Sequence, residues 1–326
     1  MMAVSGFLAS RFGSLKGLVA GIVAYAAMLT FIPLANNFAT LFAVLVFFGA
    51  AANLVNITLN TQAVDVEKLY DRNIMASFHG IWSLGGLCGG LVGMGFVRIT
   101  PDIEPHFIAI AIFASIGILL CSRHLVADIE PEATAAEPSL FCRIDKAIIF
   151  LGLIAFAGMF CEGTLFDWSS VYFATVVRPS DGLIRLGYVC GMGMMTLGRF
   201  VADGFINRHG PVNTLRVCGC LIIAGLLTAT ILPDLVFATI GFMLVGMGIS
   251  SIVPICYSQA GRHKVIAAST AITLVSSISF IGFMIGPPLI GMVAQWTNLR
   301  LSLGLASVFG LLVVILARFV NLSSRH

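Results

Sequence analysis

Residues Ala147–Ala174 read AIIFLGLIAFAGMFCEGTLFDWSSVYFA, and in this run only Glu162 and Asp167 carry charge, just after the basic residues Arg143 and Lys146. A helix needs about 20 apolar residues to cross the hydrocarbon of a bilayer. A transmembrane strand would instead alternate in polarity over about ten residues. The run is continuous and helix-length, so it reads as a membrane-spanning helix. Nine more runs of the same kind lie at 17–35, 39–64, 76–97, 107–124, 184–206, 214–232, 235–258, 265–293 and 300–320. The fold class is all-α integral membrane protein, with about ten transmembrane helices.

Composition and charge agree with this. Of 326 residues, 59% are hydrophobic and 10% charged, against roughly 25% charged in a soluble domain. Mean hydropathy is +1.02. Of the 18 Lys and Arg, Arg98, Arg178, Arg185 and Arg300 fall in one set of alternate gaps, and the other fourteen fall in the other set and at the two ends. Such an asymmetry marks cytoplasmic loops. An even span count puts both termini on that basic side, which predicts a multi-pass protein of the cell inner membrane with both ends cytoplasmic. The net charge of +3 follows topology and gives no reason to expect nucleic acid.

The polar stretch Val126–Asp145, rich in Asp, Glu and Pro, divides the chain. It predicts an N-terminal bundle of four spans over 1–125, a cytoplasmic linker over 126–146 and a six-helix bundle over 147–326. A weak repeat accompanies the division. Leu8-Ala9-Ser10-Arg11-Phe12-Gly13 and Phe205-Ile206-Asn207-Arg208-His209-Gly210 both read apolar, apolar, small polar, Arg, aromatic, Gly. Some transporters are built from parallel repeats of this kind. The eight cysteines lack metal-ligand spacing and lie mostly in apolar runs, so they read as buried thiols in a reducing compartment. Met1–Leu8 lacks the length and basic start of a signal peptide. No phosphate-cradling loop, HExxH or paired CxxC occurs, so no cofactor, metal or enzymatic chemistry is expected.

These loops resemble the signature of the major facilitator superfamily, and the likeness extends to Asn60–Glu67, His79–Gly86, Glu162-Gly163 with Asp167-Trp168, and Gly286-Pro287-Pro288. Within the superfamily it is strongest to bacterial inner-membrane transporters of the YbjJ type. The resemblance implies two six-helix halves, with span 17–35 as the third helix and Met1–Phe7 as the tail of the second, so that a 4 + 6 arrangement stands where 6 + 6 is usual. It also implies gating roles for Arg11, Glu67, Arg199, Asp203 and Arg208. The family's acid before each loop Arg is replaced here by Ser10 and Asn207, so the usual acid–base gate does not follow. The family's antiporter signature puts Gly-Pro in the helix at 76–97, which here has no proline; this disfavours a drug–proton antiporter.

Individual residues carry the functional expectations. Glu162 lies near mid-span, where a carboxylate is costly and usually faces a cavity or a partner. It is a candidate for binding a proton or a polar substrate group; the alternative is a carboxyl satisfied between helices. Asp167, five residues on, points roughly 140° away. Asn53, Asn56, Asn60 and Glu67 fall within about 60° of one helix face. Amides both donate and accept, which suits hydroxyl-rich or zwitterionic solutes; the alternative is interhelical glue. In the fucose–proton symporter branch of the superfamily a carboxylate occupies this helix, so the amides do not imply proton coupling from this site. His79 and Trp82, with Ser83, could contact substrate or pack as a helix end, and Trp168 could stack on a sugar or anchor at the interface. Arg199 and Asp203 are spaced to pair on one helix face. Glycines four apart (Gly86 and Gly90, Gly89 and Gly93, Gly282 and Gly286) suggest close helix approach, and Gly286-Pro287-Pro288 predicts a helix break.

The resulting expectation is a secondary active transporter. It would move a small polar solute, sugar-like or another metabolite, by alternating access in the bilayer, with Glu162 as a candidate proton-coupling group. The alternatives are efflux of drugs or metabolites, and a non-transporting membrane sensor or scaffold derived from a transporter.

Overall fold

The computed structural model describes residues 2–70, 72–99, 102, 104–127, 145–263 and 266–322. Most of the linker predicted over 126–146 lies outside them. The described residues form helices joined by short turns, with no strand among them. In order these are α1 (Met2–Phe12), α2 (Ser14–Phe31), α3 (Phe38–Tyr70), α4 (Met75–Ile99), α5 (Glu104–Cys121), α6 (Lys146–Tyr172), α7 (Leu186–Ile231), α8 (Leu235–Ile249), α9 (Ile252–Gly261), α10 (Ala268–Trp296), α11 (Leu299–Leu305) and α12 (Ser307–Leu316). In a bilayer every backbone polar group needs an internal partner, which makes the helix the natural state of these apolar runs.

Eight segments among the described residues are long and apolar enough to cross a membrane. They match the ten spans read from the sequence, with two differences. The runs at 184–206 and 214–232 are merged in α7, which is broken at Gly210 into two limbs. The run at 76–97 forms α4, which is not among the eight but has 25 residues and is about 37 Å long. The caps are supplied locally. Asp145 accepts from Ala147 N at the start of α6, Asp234 from Val236 and Phe237 N at the start of α8, and Asn298 from Leu301 N at the start of α11.

The repeat seen in the sequence returns as geometry. Gly13, between α1 and α2, has φ 85° and ψ 159°. Gly210, between the limbs of α7, has φ 80° and ψ 162°. This region of backbone space is open almost only to glycine, so one turn is built twice.

Two compact units form. Unit 1 comprises Met1–Tyr70, Trp82–Ala136 and Ile266–Thr273. Its core closes where α2 meets α3, with Leu18, Ile57 and Val64 buried. Gly17 and Gly21 allow the approach, because side chains there would meet Thr58 and Val55. Gln62 adds a polar staple: its Nε2 donates to Ser14 Oγ and Val126 O, and its Oε1 accepts from Val126 N. On α4, Gly86 and Gly89 meet nothing within 4 Å.

Unit 2 comprises Asp71–Ile81, Glu137–Val265 and Leu274–His326. Helix α6 is its axis, with Ile148, Leu151, Ile154, Ala157 and Leu165 fully buried. Helix α10 closes on it through Gly282 and Gly286, which lie against the backbone of Phe156 and Phe160, the close approach their spacing predicts. The predicted break at Gly286-Pro287-Pro288 does not occur, and α10 is continuous through both prolines. The reason lies on α6. Pro287 cannot donate to the Phe283 carbonyl, but Gly163 packs against that oxygen so closely that a Cβ would sit 2.9 Å from it. Trp168 Nε1 donates to Pro287 O at 2.9 Å. Close packing of α6 on α10 thus holds the helix beside the prolines without replacing the bonds they lose. A joint at Ser250 and Ser251 separates α8 from α9, where Ser250 Oγ donates to Met247 O at 2.7 Å.

Candidate functional site

The mid-span carboxylate of unit 2 is buried and paired. Glu162 is 7% exposed and Arg199 3% exposed. Glu162 Oε1 lies 3.6 Å from Arg199 Nη2. The α6 axis holds Glu162 among packed residues, and Gly198 lets the first limb of α7 approach the α8–α9 joint, where a side chain would strike Ser250. Arg199 therefore reaches across to another helix, in addition to the spacing it shares with Asp203.

A second polar group stands near this pair. The His79 ring lies 6.0 Å from that of Tyr257. Tyr257 is buried, and its hydroxyl accepts from Ser276 Oγ at 2.9 Å. Arg199 lies near His79, and Glu162 near Tyr257. Tyr257 and Ser276 were not singled out in the sequence, because a Tyr and a Ser inside apolar runs carry no spacing signal. Tyr257 and Ser276 are buried and joined by that hydrogen bond, with His79 half-buried beside them.

Asp203, also buried, serves the start of α4. Its carboxylate accepts the backbone N–H of Ala76 at 3.0 Å and of Ser77 at 2.7 Å. This is an N-terminal cap supplied by a different helix, and its negative charge suits the positive end of the α4 dipole. One turn further on, Asn207 accepts from Asn73 N and Nδ2 and donates to Asn73 O. The residue that stands where the resembling family has an acid is thus an amide paired with an amide. Arg208 is exposed; Arg11, also exposed, lies 6.0 Å over the Phe7 ring of its own helix.

The amide stripe lies on α3 in unit 1. Asn53 and Asn56 are half-buried, Asn60 is 7% exposed and Glu67 is fully buried. Asn60 folds back to donate to Asn56 O at 2.7 Å. The Asn56 side-chain oxygen is buried without a hydrogen-bond partner among the described residues, so the stripe holds acceptor capacity at that point. Trp82, in the same unit, is 64% exposed.

Asp167 and Trp168 stand apart from Glu162, as the angular offset along α6 predicts. Asp167 is exposed, and Trp168 is half-buried against Gly291 of α10 with its indole N–H already donated. Among the described residues no cluster of His, Cys, Asp and Glu could hold a metal ion.

Comparison with known proteins places this arrangement. The sequence profile of the Major Facilitator Superfamily matches residues 1–268. An uncharacterized MFS-type transporter of Yersinia pestis is 31% identical over 322 residues, covering 98% of this chain and 83% of that protein. The membrane protein MosC of Rhizobium meliloti is 29% identical, covering 98% of this chain and 78% of its own length. Among solved structures, the Escherichia coli fucose:proton symporter FucP superposes with a TM-score of 0.76 at 14% identity, over 97% of this chain and 86% of that one. The human organic anion transporter MFSD10 superposes at 0.79 with 16% identity, over 97% and 80%. At such identities the structures speak for the fold, while the profile and the relatives carry the family. The chain is a multi-pass membrane protein and belongs to the major facilitator superfamily.

Proposed function

We propose that this chain is a secondary active transporter of the cell inner membrane, both termini cytoplasmic, carrying a small polar solute by alternating access. The observation that carries the reading is the buried Glu162–Arg199 pair at mid-span of unit 2. Two charges withdrawn from water are a costly way to hold helices together, and a well-packed apolar pair is often as stable. Their use is clearer as a switch. A proton on Glu162 removes the charge that offsets Arg199, which changes the electrostatics of the core without moving any backbone first. The fold shared with a fucose:proton symporter supports a polar solute with a proton as co-substrate. The half-buried Asn53 and Asn56, one with an unused acceptor, offer the solute hydrogen bonds on α3. The bonds from Asp203 and Asn207 to the start of α4 are the contacts that the transport cycle makes and breaks, with the exposed Arg208 next to Asn207 and the exposed Arg11 at the matching turn of the repeat. Reconstitution into proteoliposomes with an imposed pH gradient tests the reading. Proton-driven accumulation of a polar solute by the wild type and its loss in Glu162→Gln are expected. Unchanged proton-driven uptake by the variant would sink the coupling role, and no accumulation of any solute with or without the gradient would sink transport.

A further inference from the structure

Asp167 is the acidic group in unit 2 whose setting the paired-carboxylate mechanism leaves unexplained. The crossing segment containing α6 runs over Lys146–Val177, so its middle falls near Glu162. Asp167 is five residues further on, about 7.5 Å along the axis at the helical rise. With a hydrocarbon core about 30 Å thick, that position is still inside it. A carboxylate at such depth faces a cavity or a partner. Glu162 has Arg199, but Asp167 has neither a hydrogen bond nor an ion pair among the described residues. What it does have is a cavity of about 490 Å³, formed with Trp168 and Val171 of α6 and with Phe283, Met284 and the two prolines of α10. That volume is in the range of small-molecule sites.

The walls of this cavity have a one-sided chemistry. Val171, Phe283 and Met284 have no side-chain donor. The one donor, the Trp168 indole N–H, is spent on Pro287 O. Pro288 has no N–H, so it cannot make the helical bond to the Met284 carbonyl four residues earlier. The site therefore offers a carboxylate, a carbonyl acceptor and two aromatic rings, with no donor for an anion. Aromatic faces attract cations, and a carboxylate gives its strongest hydrogen bonds to charged N–H donors.

We propose that this cavity binds an organic ammonium ion, a primary or secondary amine carried on an apolar body, with Asp167 as its counter-ion and Trp168 and Phe283 as its aromatic walls. The amine takes the place of the missing positive partner, its N–H groups reach Asp167 and Met284 O, and its apolar part lies on Val171 and the rings. The proposal concerns binding and does not rest on the Glu162–Arg199 reading.

Equilibrium binding of tritiated phenethylamine to the purified full chain in nanodiscs tests it. Saturable binding is expected, competed by unlabelled amine but not by phenethyl alcohol or phenylacetate. Asp167→Asn should weaken binding about tenfold or more, since the ionic partner is lost; Asp167→Glu should retain most of it, and Glu104→Gln, at an exposed acid of α5, should leave it unchanged. Wild-type protein alone can overturn the proposal: competition by the alcohol or the acid as strong as by the amine would do so, even if Asp167→Asn failed to fold. Binding by a folded Asp167→Asn equal to wild type would overturn it as well. Solute uptake is scored separately, and its absence with Asp167-dependent binding intact bears on transport alone.

Discussion

The Asp203 carboxylate, on the first limb of α7, accepts the backbone N–H of Ser77 at 2.7 Å and so caps a helix to which it does not belong. The adjacent N–H of Ala76 is held by the other carboxylate oxygen. Capping bonds of this kind contribute about 0.5–2 kcal/mol. Asp203→Ala is expected to lower the thermal unfolding midpoint of the purified protein and to speed hydrogen exchange at Ala76 and Ser77. Asp203→Asn, which keeps an acceptor oxygen, should lose less. Exchange at both amides as slow as in wild type would show that the cap does not hold α4.

The Glu162–Arg199 pair makes an opposed prediction for single and double variants. Glu162→Gln leaves a buried guanidinium without its offsetting charge, and breaking a buried pair from one side costs about 3–5 kcal/mol. The double variant Glu162→Gln with Arg199→Met removes both charges and should recover much of that stability. It should not recover proton-driven uptake. A double-mutant cycle in thermal stability, run beside the uptake assay, separates the two roles; recovery of uptake by the double variant would contradict the switch.

Gly210→Ala and Gly13→Ala test the repeated turn. Around Gly210 there is open space, so an added methyl meets no atom. The penalty is then conformational, of order 1–3 kcal/mol for a non-glycine residue held in this region. Similar losses of stability are expected at both positions because the dihedral angles agree within a few degrees. A neutral Gly210→Ala would mean that the limbs of α7 can meet through another turn.

Gly163→Ala tests the support of the proline-containing helix. The new methyl would lie 2.9 Å from the Phe283 carbonyl, too close without displacement of α10. Overpacking of this kind costs about 1–3 kcal/mol. A lower unfolding midpoint and a changed Trp168 environment, read by fluorescence in a background lacking Trp82 and Trp296, are expected. No change in either would show that α10 yields freely at its prolines.

Much of the fold was legible because lipid imposes a simple code. Apolar run length gave the helices, and the Leu8–Gly13 and Phe205–Gly210 patterns gave a repeat, though not the glycine turn in which both copies end. The opposite settings of Glu162 and Asp167 followed from a five-residue offset on one helix. What escaped depends on which helix lies opposite. Arg199 is spaced to pair with Asp203, yet its charge also meets Glu162 of α6, and Asp203 caps α4; spacing along one helix cannot announce a partner on another. Tyr257, Ser276 and Gln62 were invisible for the same reason. The continuous α10 escaped because Pro287 and Pro288 warn of a break, while the α6 residues packed beside them, Gly163 and Trp168, are written more than a hundred residues earlier.

The joint at Ser250 and Ser251 divides its crossing segment into unequal lever arms, α8 of 15 residues and α9 of 10. Tyr257 rides six residues out on the shorter arm, about 9 Å from the pivot at the helical rise. A tilt of about 10° at the serines would carry it through roughly 1.6 Å. Its bond from Ser276 is 2.9 Å long, so that swing is enough to break it. A small rotation at the serines would thus be read out as the loss of one hydrogen bond beside His79.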